Sequence, residues 1–365
     1  MLTIYLLFFF ANLLVGLFHR KSNLLILATS IFIIMVFVGS RNVVDLDGYM
    51  DDYNIGANNY FSGGQVIFYH FMLVCKFFGM DFDTYRLVLS VVGLSCYYYF
   101  VNKFSPLPNL VYAAYMGYLL IMDDVQIRNF VGCAVFSVGL VILLSYQKGW
   151  RWKYLIAIVL AALNHSSFWV YLVFLLLPKS NLKESRFIKV FSMSFLAFSI
   201  FILFIRGYLN SFIMMFSFID EEKALGYSEN ATRFGGAVYM ALHLFATTCV
   251  WWMFEKTKSH NSRCVRMYGN GQIQKVLQIT LLLDLLAISL FPAVVFSITF
   301  YRLIRNLYLL NAVAFSVGFV KTRSKLFPLV ALIIYTAVFF YFDLTSFERV
   351  NVILRPLFMD NIYVE

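Results

Sequence analysis

The chain has 365 residues, of which 61% are hydrophobic and only 13% charged, against about 25% charged in a soluble domain. Its formal net charge is +10. This excludes a soluble globular fold and defines an all-α polytopic bundle, since barrel strands would alternate apolar and polar residues. The basic residues gather in short loops, as the positive-inside rule expects, so the charge does not call for nucleic acid.

Apolar runs long enough to cross a bilayer fall at about 2–18, 23–39, 64–79, 84–101, 108–122, 128–145, 154–177, 187–205, 238–254, 276–299, 306–320 and 326–342. They predict one integral membrane domain over 1–365, a transmembrane helical bundle of about 10–12 spans with one or two broken or re-entrant helices. A GT-C-like arrangement is one form of such a bundle. Run 2–18 precedes the basic cluster His19-Arg20-Lys21 instead of following it, which marks a first span rather than a cleaved leader. The five cysteines, Cys75, Cys96, Cys133, Cys249 and Cys264, have no metal-like spacing, and the five histidines are scattered. No metal or cofactor is expected.

Loop charge sets the orientation. His19–Lys21, Lys179–Lys189, the loop at about 255–275 and Lys321–Lys325 are basic and belong in the cytoplasm. Loop 40–63, with Asp45, Asp47, Asp51 and Asp52, belongs outside, as does 206–237, with Asp220, Glu221, Glu222 and Glu229. Both chain ends then lie outside. One loop conflicts with simple alternation of twelve spans: residues 146–153 carry Lys148, Arg151 and Lys153. The conflict disappears if run 154–177 bends back at Asn164-His165-Ser166-Ser167, with arms of about 11 residues or roughly 16 Å. This also requires 108–122 not to cross fully. Broken backbone at that depth must be buried in protein or line a cavity.

Four polar groups carry the candidate chemistry. Asp45, Tyr49 and Tyr53 recur at i, i+4 and i+8, one face of a short helix preceded by Arg41 and joined by Asp47. Carboxylates beside aromatic rings suit sugar binding; a solvated acidic loop is the plain alternative. Asp123-Asp124-Val-Gln126-Ile-Arg128-Asn129 lies between two runs, and Arg128 opens a helix to about Leu144. Arg128 either serves a site or snorkels, paired with Asp124 at i−4. Asn164 to Ser167 interrupt an apolar run, and an intramembrane ionisable group such as His165 is a functional candidate. Counted from the turn near Gly149, Arg128 and His165 differ in depth by roughly 8 Å, so one cavity can hold both. Tyr301-Arg302-Leu-Ile-Arg305-Asn306 places two arginines at an outer edge, where guanidinium suits a phosphate or pyrophosphate. Asp284, about fifteen residues in from the outer end of run 276–299, could pair with a buried cation.

In this order, the sequence resembles the EpsG-like, Wzy-type polysaccharide polymerases over about residues 40–310. The matching elements are Arg41-x3-Asp45-x3-Tyr49-x3-Tyr53, then Gln126-Ile-Arg128-Asn129, then Asn164-His165-Ser166-Ser167, then Tyr301-Arg302-Leu. The resemblance implies a glycosyltransferase of the bacterial cytoplasmic (inner) membrane. Such enzymes join undecaprenyl-diphosphate-linked oligosaccharide repeat units on the outer face and build capsule, exopolysaccharide or O-antigen. Its partners would be membrane lipid, a flippase and a chain-length regulator. Carried over by position, Arg41, Asp45, Tyr49, Arg128, His165, Ser166 and Arg302 match family elements. Asn129 stands where the family has Gln, and Gly64-Gln65 stands where a carboxylate is common, which puts weight on Asp45 or Asp47. Arg128 and Arg302, with Arg41, would hold the pyrophosphate, and Asp45 or His165 would act as general base. Tyr53, Gln126 and Arg305 complete the expected substrate contacts. The rivals are a transferase using a polyprenyl-phosphate sugar, a flippase for lipid-linked sugars, and a membrane acyltransferase.

Overall fold

Helix ends are set by local chemistry. The Ser22 hydroxyl accepts the Leu25 N–H at 3.2 Å and starts α2 (Asn23–Gly39), and Asp81 accepts the Thr84 N–H at 2.8 Å and starts α5 (Phe82–Phe104). The computed structural model describes the chain except residues 42, 44, 56–64, 146–147, 178–184, 206–234, 259–269, 297, 323 and 364–365. Most of loops 206–237 and 255–275 and part of loop 40–63 therefore lie outside the described residues. All regular elements among the described residues are helical.

Helix α1 (Leu2–Leu17) and α2 form the first antiparallel pair. The short α3 (Leu46–Ile55) and α4 (Val66–Phe77) follow, then α5. Pro108 opens α6 (Pro108–Ala114), where its missing N–H costs nothing. A π turn (Tyr115–Leu119) joins α6 to α7 (Leu120–Val125). Gln126 breaks the helix, and α8 (Ile127–Ser145) leaves in the opposite direction. Gly149, in the left-handed region at φ 74°, turns the chain into α9 (Trp150–Asn164). After a 3₁₀ segment (Ser166–Leu176) come α10 (Ser185–Ile205), α11 (Gly235–Lys258) and α12 (Asn270–Ala287). A further 3₁₀ turn leads to α13 (Phe291–Phe296), then α14 (Arg302–Arg305), α15 (Tyr308–Lys321) and α16 (Leu326–Leu344). The described chain closes on α17 (Phe347–Arg349), a π turn and α18 (Arg355–Met359).

The bundle has a basic end and a site end. His19 stacks on Phe319 and lies 3.5 Å from Lys325, and Lys275 donates to the Ser145 carbonyl at 3.3 Å. At the site end, Ile362 N–H donates to the Gly39 carbonyl at 2.9 Å, and Tyr5 meets the Phe358 ring. Residues near both termini thus share the site end.

The bend is present. His165 has extended backbone (φ −150°, ψ 116°) between α9 and the 3₁₀ arm. The returning arm ends beside its start: Arg151 donates to the Leu177 carbonyl at 3.1 Å, and Tyr154 to the Tyr171 carbonyl at 2.9 Å. The arms match because they are wound differently. Fifteen α residues span about 22 Å and eleven 3₁₀ residues about 22 Å, short of a hydrocarbon core of about 30 Å. The 3₁₀ arm packs on α8, where Gly132 leaves room for the Phe168 ring and a Cβ would collide with it. Gly132→Ala is expected to cost about 1–3 kcal/mol through overpacking. An unchanged unfolding temperature of the solubilised protein would show that the hairpin is not held by this contact.

Two expectations about spans are corrected. Run 108–122 extends from one end of the bundle to the other: Asn109 accepts from Ser22 N–H at 2.9 Å at the basic end, and Asp124 accepts from Ser40 Oγ at 3.1 Å at the site end. Pro108 to Val125 spans about 26 Å. Run 64–79 does not cross. Its helix α4 has 12 residues, about 18 Å, and both ends stay at the site end. Gln65 accepts from Arg128 at 2.6 Å, and Lys76 donates to the Asn54 carbonyl at 2.7 Å. Parity is preserved because α4 takes the place of 108–122 as the second run that fails to span. One continuous apolar core runs through the crossing helices.

Candidate functional site

Three guanidiniums and an imidazole meet where α8 begins, where the hairpin turns and where α14 sits. Arg128 Nη1 donates to Gln65 Oε1 at 2.6 Å and to Tyr69 OH at 3.3 Å. Its guanidinium lies 4.8 Å over the Tyr49 ring. Arg302, Arg128 and Arg305 are the charged groups that act on the His165 ring. In α3, burial pushes the Tyr49 phenol up, and Arg128 and Arg302 act against that shift. Tyr49, Arg128, Arg302 and His165 therefore form one cluster.

The cluster has an open rim and a buried floor. Arg128, His165 and Arg302 are half-buried and Ser166 is exposed. Arg305 is fully buried. It donates to Gln126 Oε1 at 2.5 Å and to Tyr301 OH at 3.2 Å, and its guanidinium lies over the Tyr301 ring. Tyr301 stacks on Tyr239 at 4.3 Å, and Tyr239 and Tyr118 both donate to Asp343. Asn129 donates to Asn306 at 3.1 Å and joins the start of α8 to the chain after α14. The N-terminus of α8 adds its own partial positive charge.

The hairpin tip is held to the arginine turn. His165 Nδ1 and Ser167 Oγ share a hydrogen bond of 2.7 Å, which orients the ring. Tyr171 donates to the Leu303 carbonyl at 2.6 Å and stacks on Phe136. Tyr171→Phe removes that tie while keeping the ring. It is expected to leave the fold intact and lower the site's activity about tenfold, roughly one lost hydrogen bond. Equal activity in the variant would detach the hairpin from the function of Arg302.

Other expected residues lie elsewhere. Arg41 is paired with Asp83 at 2.6 Å and bonds the Val38 and Ser40 carbonyls, so its fork is engaged away from the cluster. Asp45, just before α3, and Asp47, on it, are exposed. Asp45 holds φ 70°, uncommon for a residue with a side chain, and its charge reaches Tyr49. Tyr53 is buried against Phe82 and Tyr85, with its hydroxyl on the Met80 carbonyl at 2.7 Å, and anchors α3 to α5. Arg128 does not take the alternative of a local pair with Asp124, because the helix breaks at Gln126. Asp124 is buried and bonds Ser40 and Arg86. Sequence reasoning missed Arg86, Tyr69 and Asp343. Arg86 and Tyr69 lie inside runs read for hydropathy alone, and Asp343 sits just past the end of one. Among the described residues no three His, Cys, Asp or Glu side chains gather for a metal.

These features define a multi-pass helical membrane protein with a cationic, partly open cluster of side chains at one end of the bundle. The EpsG family model matches residues 24–353, and the chain belongs to that family. Membership assigns it to polysaccharide biosynthesis, among repeat-unit polymerases in general. No curated protein and no solved structure matches the chain.

Proposed function

We propose that the protein extends a polysaccharide by joining undecaprenyl-diphosphate-linked oligosaccharide repeat units on the outer face of the bacterial cytoplasmic membrane. The observation that carries this reading is the cluster of Arg128, Arg302 and Arg305 around the His165 break, at the end of the bundle opposite the basic loops. A pyrophosphate under the membrane surface needs a concentration of positive charge with forked donors, and guanidinium supplies both. The basic end faces the cytoplasm by the positive-inside rule, so the site faces outward.

In the reaction, a hydroxyl oxygen of the acceptor unit attacks the anomeric carbon of the lipid-linked chain. The bond from that carbon to the pyrophosphate oxygen breaks, and the lipid diphosphate leaves with the electron pair. Arg128 and Arg302, on the rim, hold the pyrophosphate as its charge grows. Arg305, on the floor, adds a fixed positive field and keeps Gln126 in place. His165 accepts the acceptor's proton through Nε2 in the tautomer whose Nδ1–H donates to Ser167 Oγ. Asp45, Asp47, Tyr49 and Ser166 contact the sugars of the two units. Flippase and chain-length regulator would hand over substrate and set product size.

The test is a polysaccharide ladder from cells that lack the gene and carry either wild type or His165→Ala. Wild type alone should restore long chains, with single repeat units left by the deletion and by the variant. Lipid-linked units trapped on the inner face would instead indicate a flippase.

A further inference from the structure

Asp284 lies fully buried in the last turn of α12, about mid-way along the apolar stretch Gln274–Val295, where an ionised carboxylate needs a positive partner. The sequence leaves room for a buried cation there, and among the described residues no cationic side chain takes that place. One carboxylate oxygen accepts from Asn311 Nδ2 at 3.2 Å. No Lys or Arg among the described residues pairs with Asp284 or acts on it. The histidine packed nearby, His243, turns its Nε2 to the Asp284 backbone carbonyl at 2.8 Å and leaves the carboxylate alone.

Around this carboxylate several buried oxygens have no hydrogen-bond partner: Asp284 Oδ2, Asn311 Oδ1, Tyr335 OH and Thr280 Oγ1. All four residues are fully buried. Thr280 is one turn before Asp284 on α12 and shares its face. Tyr335, on α16, is close enough for the Asp284 charge and the Asn311 amide to act on it. One carboxylate oxygen, an amide oxygen and two hydroxyls left without partners in the apolar interior are costly as they stand. Each is an oxygen donor suited to a hard cation. A single carboxylate balances one positive charge, and divalent sites use more acidic ligands.

We propose that Asp284, Asn311, Tyr335 and Thr280 form an intramembrane site for a monovalent metal cation of the Na⁺ class, set between α12, α15 and α16. Asp284 supplies the charge. Asn311 Oδ1, Tyr335 OH and Thr280 Oγ1 complete the oxygen shell. The site is separate from the arginine cluster but shares α15 with the residues that follow it. A bound ion would fix the helix that starts just after Arg305 and Asn306. The inference does not depend on the polymerase reading, because binding is measured directly.

The experiment uses the full-length protein in lipid nanodiscs. Its unfolding temperature is followed as NaCl replaces choline chloride at constant ionic strength, and bound ²²Na⁺ is measured in parallel. Wild type should show a saturable rise with Na⁺ and displaceable ²²Na⁺ binding. Asp284→Asn should lose both. Tyr335→Phe keeps the ring and should weaken the apparent Na⁺ affinity about tenfold, so the test survives if Asp284→Asn fails to fold. A midpoint indifferent to Na⁺, with Asp284→Asn as stable as wild type, would show a neutral carboxylic acid that the amide imitates and would overturn the proposal. Binding of equal affinity in wild type and Tyr335→Phe would overturn it as well.

Discussion

Replacing Arg302 or Arg128 by Ala stops chain extension while the protein still folds and inserts. Both guanidiniums are half-buried at the rim of the cluster, and both act on His165. Their removal opens no large cavity in the core. What is lost is a charged, forked donor at the point where the leaving pyrophosphate gains charge. One preorganised donor of this kind is worth about 10²–10³ in rate, roughly 3–4 kcal/mol. Arg128→Lys should recover part of the activity, because the charge stays but the fork that bonds Gln65 and Tyr69 does not. The measurements are the lipid-linked product ladder and the amount of monodisperse solubilised protein. Normal ladders from both alanine variants would remove the arginines from the mechanism. Arg305→Ala should behave differently, because that side chain is fully buried and holds Gln126 and Tyr301. Its loss lowers stability as well as activity.

Arg86→Ala is expected to give the largest loss of stability, about 3–5 kcal/mol, with no direct effect on the reacting groups. Arg86 is 2% exposed and lies 3.4 Å from Asp124, itself 2% exposed. It donates to Ser40 Oγ at 2.7 Å and to the carbonyls of Phe37 and Ser40, and so covers the C-terminal carbonyls of α2. Without it, Asp124 is left as a buried charge and α2 loses one of the donors on its last turn. The double variant Arg86→Met with Asp124→Asn should regain part of the loss, because removing both partners leaves no isolated charge. Unfolding temperatures of the solubilised variants check this. A single variant as stable as wild type would mean that Ser40 and water satisfy Asp124 alone.

The hairpin was legible in the sequence because two independent signals agreed. Four consecutive polar residues interrupt the apolar run, and basic residues flank both its ends. The meeting of Arg128 with His165 followed from counting residues from a shared turn. Hydropathy misjudged 64–79, since it counts apolar residues and not helical rise; α4 begins only at Val66 and stops before Gly79, which turns the chain at φ 70°. It misjudged 108–122 in the other sense. Pro108 is harmless at a helix start, and Gly117 sits in a π turn that keeps the helix running. Arg86 was invisible, because an arginine one turn inside an apolar run looks like a snorkelling helix end. Arg41 matched a family element by position, yet Asp83, two residues after a helix cap, engages it. Asp284 was marked as a carboxylate that a buried cation could partner, and among the described residues no Lys or Arg pairs with it. Such partners are set by which helices pack together, and spacing along one chain does not encode that.

The central claim is tested most directly with purified protein in liposomes, given a defined oligosaccharide repeat unit on undecaprenyl diphosphate as both donor and acceptor. Products should form a ladder spaced by whole repeat units, with one lipid diphosphate released per bond. Arg302→Ala should leave the single unit unchanged. Growth by single sugars, and only when a polyprenyl monophosphate sugar is supplied, would contradict the account and assign the arginine cluster to a transferase of the other kind.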